Sequence, residues 1–298
     1  MDGNSARVAT SAEQGRAEPV AGPGQTGRDR ERRTARRAWL ADNVRGVRID
    51  LNADLGEGFG VWRLGDDEAL LDVVTSANVA CGFHAGDPVT MTRVCAAAAE
   101  RGVVIGAQVG YRDLAGFGRR RIDIAPDDLT ADVLYQIGAL DACARAAGVR
   151  VRYVKPHGAL YNTAADDPVQ ADAVASGVAR FGGDLALLGL PGSHHADAAE
   201  RHGLRFVAEA FADRAYRTDG RLVARTEDGS VLHDAAAIGM RATRLARDGV
   251  IDANDGSALH VAVESLCVHA DTPGAIEIAR AVRRALESER VDLAAFCA

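Results

Sequence analysis

Lys155 and His157 stand two positions apart at the end of an apolar run, with Pro156 between them. Residues two apart share one face of a strand, so both side chains can point into one cavity. A cation next to a titratable ring suits a reaction in which negative charge develops on an oxygen and a proton moves. Lys155 is also the only lysine among the 35 Lys and Arg residues. Either an arginine-rich coding bias explains this, or position 155 needs a compact ammonium.

Asp54, Glu57 and His84 follow two other apolar runs. Asp54 and Glu57 lie beside glycines, which let the backbone approach a ligand or turn sharply. His84 lies between a predicted strand end and a predicted helix start, where histidine can act as a base, an acid or a ligand. The alternatives are a cap or loop role for Asp54 and a structural hydrogen bond for His84. We favour functional roles because the catalytic residues of barrel enzymes come from strand ends.

Arg214 and His269 follow two later apolar runs, the first of them beside Asp213 and Tyr216. A guanidinium can hold a substrate carboxylate in a bidentate pair, although a plain surface ion pair is the competing interpretation. His269 is a further candidate at a strand end, and Asp271 after it can cap the last helix. Arg214 and His269 are therefore predicted to lie near a bound substrate.

Neither a nucleotide loop nor a metal site is recognisable in the chain. The run from Gly56 to Gly60 lacks the third glycine of a dinucleotide-binding loop, and Lys155 precedes proline where a Walker loop requires Ser or Thr. No H-E-x-x-H spacing occurs, and the five cysteines form no C-x-x-C pair. Several His and Asp residues on one face could still bind a metal, but free side chains can do the work without one. We therefore assign no metal ligand, leave the presence of a metal open and place ATP chemistry on another polypeptide.

Short apolar runs alternate with Ala-rich amphipathic stretches from Val47 onwards, which predicts strands alternating with helices. Parallel strands need helical crossovers, so this alternation indicates a parallel sheet. A doubly wound sheet would gather its polar residues at one crevice, whereas nearly every predicted strand here ends in a polar cluster, as in a (β/α) barrel. The predicted strands are Val47–Leu55, Ala77–Cys81, Val103–Val109, Val151–Lys155, Leu185–Leu190, Phe206–Ala210 and His260–Val268.

Three helix starts are readable in the sequence. Asp87-Pro88 supplies an N-cap and a proline at the first helical position. Pro126 opens a long helix that is predicted to end at Gly148. Asp271-Thr272-Pro273 likewise offers a capping Asp and a Pro ahead of a helix predicted over Ala275–Leu286.

Residues 1–46 are rich in Gly, Pro, Ser, Thr, Glu and Arg, which predicts a flexible Arg-rich extension. Residues 47–298 are predicted to form a single (β/α)-barrel catalytic domain. The net charge of −7 makes the chain a poor nucleic-acid binder. No apolar run approaches the roughly 20 residues of a membrane span, and the N-terminus lacks the layout of a signal peptide. Both features predict a cytoplasmic protein that binds no membrane.

Five sequence blocks resemble the signature blocks of the LamB/YcsF family. Several long blocks in the right order make this a specific signal, and the similarity extends from about Arg48 to Leu286. In the last block His269-Ala270-Asp271 replaces a more familiar His-Gly-Asp, a change that we expect to leave catalysis intact. The blocks are Ile49–Glu57, Ala77–Pro88, Lys155–Asn162, Ala212–Tyr216 and Leu266–Gly274.

The resemblance implies an irregular (β/α) barrel of the glycoside hydrolase/deacetylase type with mostly parallel strands. It also implies that the chain is one of three components of an ATP-hydrolysing 5-oxoprolinase, which converts 5-oxo-L-proline to L-glutamate, and that its partners are the 5-oxoprolinase subunits B and C. The complex would use ATP, and because this chain lacks a phosphate loop, ATP would bind to another subunit. The candidate catalytic residues are Asp54, His84, Lys155 and His157, and the candidate substrate-binding residues are Asn52, Glu57, Arg214 and His269.

Within that function, Asp54 or His84 is the candidate general base, Lys155 and His157 would stabilise negative charge, and Arg214 would hold the substrate carboxylate. Two other functions stay open. A metal-dependent carbohydrate deacetylase, suggested by fold analogy alone, predicts bound zinc and no need for ATP. A non-catalytic scaffold protein predicts that changes at the strand-end histidines leave the complex active, but the density of titratable residues there argues against it.

Overall fold

The computed structural model describes residues 47–269 and 274–297, and within them the chain forms ten strands and eight α-helices. The predicted extension over residues 1–46 and the predicted cap Asp271 lie outside these ranges. The strands are β1 Arg48–Leu55, β2 Ser76–Ala80, β3 Val104–Val109, β4 Val151–Pro156, β5 Ala186–Gly189, β6 Arg205–Phe211, β7 Val250–Asp252, β8 Ala258–His260, β9 Ser265–Val268 and β10 Asp292–Leu293. The helices are α1 Asp67–Leu71, α2 Pro88–Arg101, α3 Pro126–Ala146, α4 Gly158–Asp166, α5 Pro168–Phe181, α6 His194–Arg201, α7 Ala235–Asp248 and α8 Ala275–Ser288.

Seven parallel strands close into a barrel with helices between them. Strands β1 to β6 pair in sequence order. β9 then lies between β6 and β1, because Ser265 is opposite both Glu209 and Asp50. The seven-stranded wall confirms the predicted irregular (β/α) barrel. It also brings the carboxyl ends of all seven strands to one face.

Three helices begin where the sequence signals place them. Asp87 caps α2, since its side chain accepts hydrogen bonds from the backbone N–H groups of Val89 and Thr90. α3 begins at Pro126 as predicted. α8 begins at Ala275, also as predicted, with Gly274 at its N-cap position, while the predicted capping residues 271–273 lie outside the described residues. None of the described helices is long and apolar enough to cross a bilayer.

The predicted last strand, His260–Val268, is wrong as a single element. His260 pairs with Val250 in the antiparallel β7–β8 hairpin, outside the barrel wall. The chain then leaves that hairpin and joins the barrel at Ser265. Val261-Ala262-Val263 is an apolar run that leads directly into the next strand, so the sequence pattern alone does not reveal the break.

Successive residues of β1 point to opposite sides of the barrel wall. Leu51 and Leu55 belong to the apolar core between the strands and the helices. Asp50, Asn52 and Asp54 alternate with these apolar residues and are also buried. The barrel interior is therefore polar along β1, and its side chains need hydrogen-bond partners.

The amino end of the barrel is filled by an aromatic plug. Tyr153 packs inside with Val207, and its ring meets that of Phe296 edge-on at 4.9 Å. Gly106 leaves the room for this ring, because a Cβ at that position would lie 2.2 Å from it. These aromatic rings therefore fill the barrel interior at this end.

Candidate active site

A cavity of about 470 Å³ opens at the carboxyl ends of the strands. This volume falls in the usual range of small-molecule sites. Six of the eight predicted site residues line it, namely Asp54, Glu57, Lys155, His157, Arg214 and His269. The other two, Asn52 and His84, are fully buried behind the wall. The strand-end residues singled out in the sequence therefore converge on one region.

Lys155 lies at the floor of the cavity with its ammonium enclosed by acceptors. Its Nζ is 3.0 Å from Glu209 Oε2 and 3.4 Å from Asp54 Oδ1. It donates to Asn52 Oδ1 at 3.3 Å and to Cys267 Sγ at 3.1 Å. Burial alone would lower the pKa of Lys155, but the surrounding anions, Asp54 foremost, hold it well above its usual value. Lys155 is therefore a fixed cation.

The two carboxylates beside Lys155 differ in their acidity. Burial would raise the pKa of Asp54, yet the Lys155 ammonium and, less strongly, His157 keep it below its usual range. Burial raises the pKa of Glu209 despite the same ammonium. Asn78 supports the arrangement by donating to both Asp54 Oδ1 and Asn52 Oδ1. Asp54 is thus a stable anion and a weak base.

The rings of His84 and His157 stack in parallel, with centroids 4.1 Å apart and an angle of 11° between their planes. His157 Nε2 is 3.0 Å from the carbonyl oxygen of Phe117, which can only accept. The proton of His157 is therefore on Nε2, and the lone pair is on Nδ1, 3.8 Å from Glu57 Oε1. Burial and the neighbouring His84 hold the pKa of His157 well below its usual value, so the ring is neutral.

His84 is held behind His157 and does not line the cavity. Its Nε2 lies 3.0 Å from Gln108 Oε1, and the amide of Gln108 donates to Glu57 Oε1 at 3.2 Å. Burial lowers the pKa of His84 to about 4. Its position indicates that it supports His157 and, through Gln108, Glu57.

Gly118 permits the close approach of the loop after β3 to this histidine pair. It has φ of +66°, and an added Cβ would lie 2.8 Å from His84 Cβ and 2.9 Å from His157 Cδ2. Any side chain here would strain the backbone and push against both rings. The Gly118 backbone thus fixes one side of the stack.

Glu57, His84 and His157 are the described His, Cys, Asp and Glu groups close enough for one metal ion, with ligand atoms within 4.8 Å of one another. Zinc binds an imidazole nitrogen at about 2.0–2.1 Å, near the plane of the ring. Parallel rings 4.1 Å apart have no such point in common. One ring would have to turn before both could ligate the same ion, so this conformation does not fit a two-histidine metal site.

Asp213 and His269 form a second titratable pair on the cavity wall. His269 Nδ1 lies 2.9 and 3.0 Å from the two carboxylate oxygens of Asp213, and the backbone N–H of His269 donates to the same group. The Phe211 ring stacks on the imidazole at 5.3 Å and 12°. Burial would raise the pKa of Asp213, but His269 holds it below its usual value. Asp213 is therefore an anion that fixes the His269 ring.

Arg214 holds in place the covering loop, residues 222–226, which lines the cavity. Its Nε donates to the carbonyl of Ser230 at 3.1 Å, and its Nη2 donates to that of Val223 at 2.6 Å. Burial and the nearby Arg225 lower its pKa to about 10, so it stays charged at neutral pH. Arg119 and Arg225 line the same cavity. Their positive charges favour an anionic ligand.

Sequence reasoning missed Glu209 and Tyr161. Glu209 lies within β6 among apolar residues, and Tyr161 lies in α4 on the cavity wall. Glu209 Oε1 and Tyr161 Oη are both buried, and the two side chains are neighbours. The one available signal was a carboxylate inside an otherwise apolar strand, because a buried charge needs a partner.

Comparisons with known proteins agree over the whole described region. The model of the LamB/YcsF family matches residues 49–298. The A subunit of 5-oxoprolinase from Mycobacterium avium is 64% identical over 249 residues, covering 84% of this chain and 99% of that protein. The Streptomyces avermitilis protein of the same name is 62% identical, covering 83% and 99%. The crystal structure of the lactam utilization protein from Thermus thermophilus superposes with a TM-score of 0.80 at 44% identity, covering 84% and 100%.

Proposed function

The chain belongs to the LamB/YcsF family, and from this premise we propose that it hydrolyses the cyclic amide of 5-oxo-L-proline to give L-glutamate. We further propose that the reaction is coupled to ATP hydrolysis and needs two partners, the 5-oxoprolinase subunits B and C. Relatives carry the name of one component of 5-oxoprolinase, which supports a multi-subunit enzyme. The observation that carries the proposal is the convergence of six predicted side chains on one cavity around a buried ammonium.

The chemistry of the lactam indicates which steps belong to this chain and which to subunits B and C. A five-membered lactam resists hydrolysis, so its opening needs ATP coupling. One water is consumed in cleaving the C–N bond, and a second in releasing the phosphoryl group of ATP. Because this chain lacks a phosphate loop, we assign activation of the lactam oxygen, by phosphorylation, to B and C. This chain then binds the activated ring and adds water.

Lys155 is proposed to stabilise the negative charge of the phosphorylated oxygen as water adds to the ring carbon. A fixed cation in a dry site stabilises such charge more than water does. Asp54 and Glu209 hold the ammonium in place from two sides. This assigns Asp54 an electrostatic role in place of the predicted role as a base.

His157 and Glu57 are proposed to position the attacking water. Nδ1 of the neutral His157 and Oε1 of Glu57 are two acceptors only 3.8 Å apart. A water that donates one hydrogen to this pair of acceptors is held in place and keeps its second hydrogen for transfer to a base. His84 acts through His157, since it does not reach the cavity.

The positive side of the cavity is proposed to hold the substrate carboxylate. Arg214, Arg119 and Arg225 all line it. Arg214 also holds the covering loop through carbonyl contacts, so its loss would affect both substrate binding and loop order.

Reconstitution tests the proposal. The purified chain and subunits B and C are mixed with 5-oxo-L-proline and ATP, and glutamate and ADP are measured with each protein omitted in turn. We expect glutamate release only in the complete mixture. Equal glutamate release without this chain would overturn the proposal.

A further inference from the structure

The Asp213–His269 pair has the geometry of a proton-transfer dyad. Both residues are almost fully buried, and the imidazole reaches the cavity wall while the carboxylate lies behind it. We propose that His269 carries the protons of ring opening and that Asp213 is the positioning residue that orients it. This inference rests on the proposed function and deepens it.

The tautomer of His269 follows from its partner. The Asp213 carboxylate accepts at both oxygens, so His269 Nδ1 carries a hydrogen. Nε2 is then the ring nitrogen that can take a proton and return it. The backbone N–H contact to Asp213 and the stacked Phe211 ring fix the plane of the imidazole. A buried carboxylate behind the ring also stabilises the imidazolium that forms.

The other titratable groups are less suited to this task. Asp54 is an anion paired with Lys155. Its depressed pKa makes it too weak a base to keep a proton taken from water. His84 is outside the cavity. His157 donates its one proton to the Phe117 carbonyl, so no carboxylate accepts from that nitrogen, and Glu57 lies 3.8 Å from the other nitrogen. Of these groups, only His269 both lines the cavity and is hydrogen-bonded to a carboxylate, that of Asp213.

The proposed steps balance. As the water oxygen bonds to the ring carbonyl carbon, His269 Nε2 takes one water proton. The electron pair of the C=N bond of the phosphorylated lactam moves onto nitrogen, and this proton passes from His269 to that nitrogen. When the remaining C–N bond breaks, its electron pair also stays on nitrogen, and the hydroxyl proton on carbon passes to it through His269 as the carbonyl re-forms. His269 is then neutral again, the nitrogen has become the amine of the glutamate skeleton, and the carbon holds the phosphorylated oxygen as an acyl phosphate, from which a second water releases phosphate.

The test compares His269→Gln and Asp213→Asn with wild type in the reconstituted complex. We expect kcat for glutamate release to fall by about 10²- to 10⁴-fold for His269→Gln, with KM for 5-oxo-L-proline changed less than about threefold. Asp213→Asn should lower kcat by about 10²-fold or more, because an amide no longer fixes the tautomer. Asp213→Glu should recover part of the loss. Thermal melts establish that each variant is folded.

The matched control is another His–Asp contact. His202 Nε2 lies 3.1 Å from Asp172, away from the cavity, so His202→Gln should keep the wild-type kcat. A folded His269→Gln complex with kcat near wild type, or with a loss confined to KM, would overturn the dyad alone. Absence of ATP-coupled glutamate release from the wild-type complex would instead overturn the proposed function, and the dyad with it.

Discussion

Lys155 Nζ lies 3.0 Å from Glu209 Oε2 inside the barrel, although 54 positions separate the two residues in the chain. Glu209 is fully buried, and Tyr161 is the cavity residue next to its second oxygen. The contact joins the middle of β6 to the end of β4. Together with the contact to Asp54, it holds the ammonium and so fixes where positive charge meets the substrate.

Replacing Glu209 by Gln should therefore lower kcat for glutamate release by about tenfold, since the ammonium loses a charged partner worth on the order of 1.5–3 kcal/mol. Steady-state kinetics of the reconstituted complex measure this effect. Glu264→Gln is the control, because Glu264 is an exposed acid paired with Arg205 away from the cavity. Equal kinetics in the two variants would remove Glu209 from the account.

Gly118→Ala should damage the His84–His157 stack. The new methyl would lie within 3 Å of His84 Cβ and of His157 Cδ2, and overpacking of this kind costs about 1–3 kcal/mol beyond the backbone strain. Gly102→Ala is a matched control, since Gly102 has the same φ of +66° but nothing within 4 Å of an added Cβ. Gly118→Ala should have the lower melting temperature and the lower kcat. If the two variants have equal melting temperatures and equal kcat values, the contact of the added methyl with the histidine pair has no effect.

The raised pKa of buried Asp50 predicts that this residue destabilises the folded protein as the pH rises. Burial raises its pKa from 3.8 to about 6, although Ser265, Ser76 and Thr75 donate hydrogen bonds to it. Since the folded pKa lies above the unfolded one, its contribution is complete below pH 4 and is lost as the pH rises through 6. The loss is about 3 kcal/mol. Asp50→Asn should therefore gain stability relative to wild type between pH 4 and pH 8. Denaturant unfolding at both values measures the difference, and a constant difference would contradict the prediction.

The purified protein should contain well below one zinc ion per chain, because the stacked rings of His84 and His157 offer no shared position for an ion. Mass-spectrometric metal analysis after exposure to zinc provides the measurement. One tightly bound ion per chain, lost in His157→Ala, would contradict this. It would also favour the metal-dependent deacetylase, which acts without ATP.

The sequence predicts the barrel and most of the site for a physical reason. Asp54, Lys155 and His157 lie at strand ends, and the carboxyl ends of parallel strands must meet on one face. It does not predict which strands become neighbours when β9 closes the barrel. The contacts of Lys155 with Glu209 and of Asp213 with His269 depend on that closure. The same limit explains the error at His260–Val268, whose two halves have different pairing partners.

Ring opening is proposed to take place around Lys155 in this chain. The most direct test is glutamate release from 5-oxo-L-proline and ATP by the reconstituted complex carrying Lys155→Met. Arg101→Met, which removes a cation of the salt bridge to Asp72 outside the cavity, is the control. We predict that Lys155→Met lowers the rate by at least about 10²-fold while Arg101→Met stays at the wild-type rate. A folded Lys155→Met protein that releases glutamate at the wild-type rate would contradict the account.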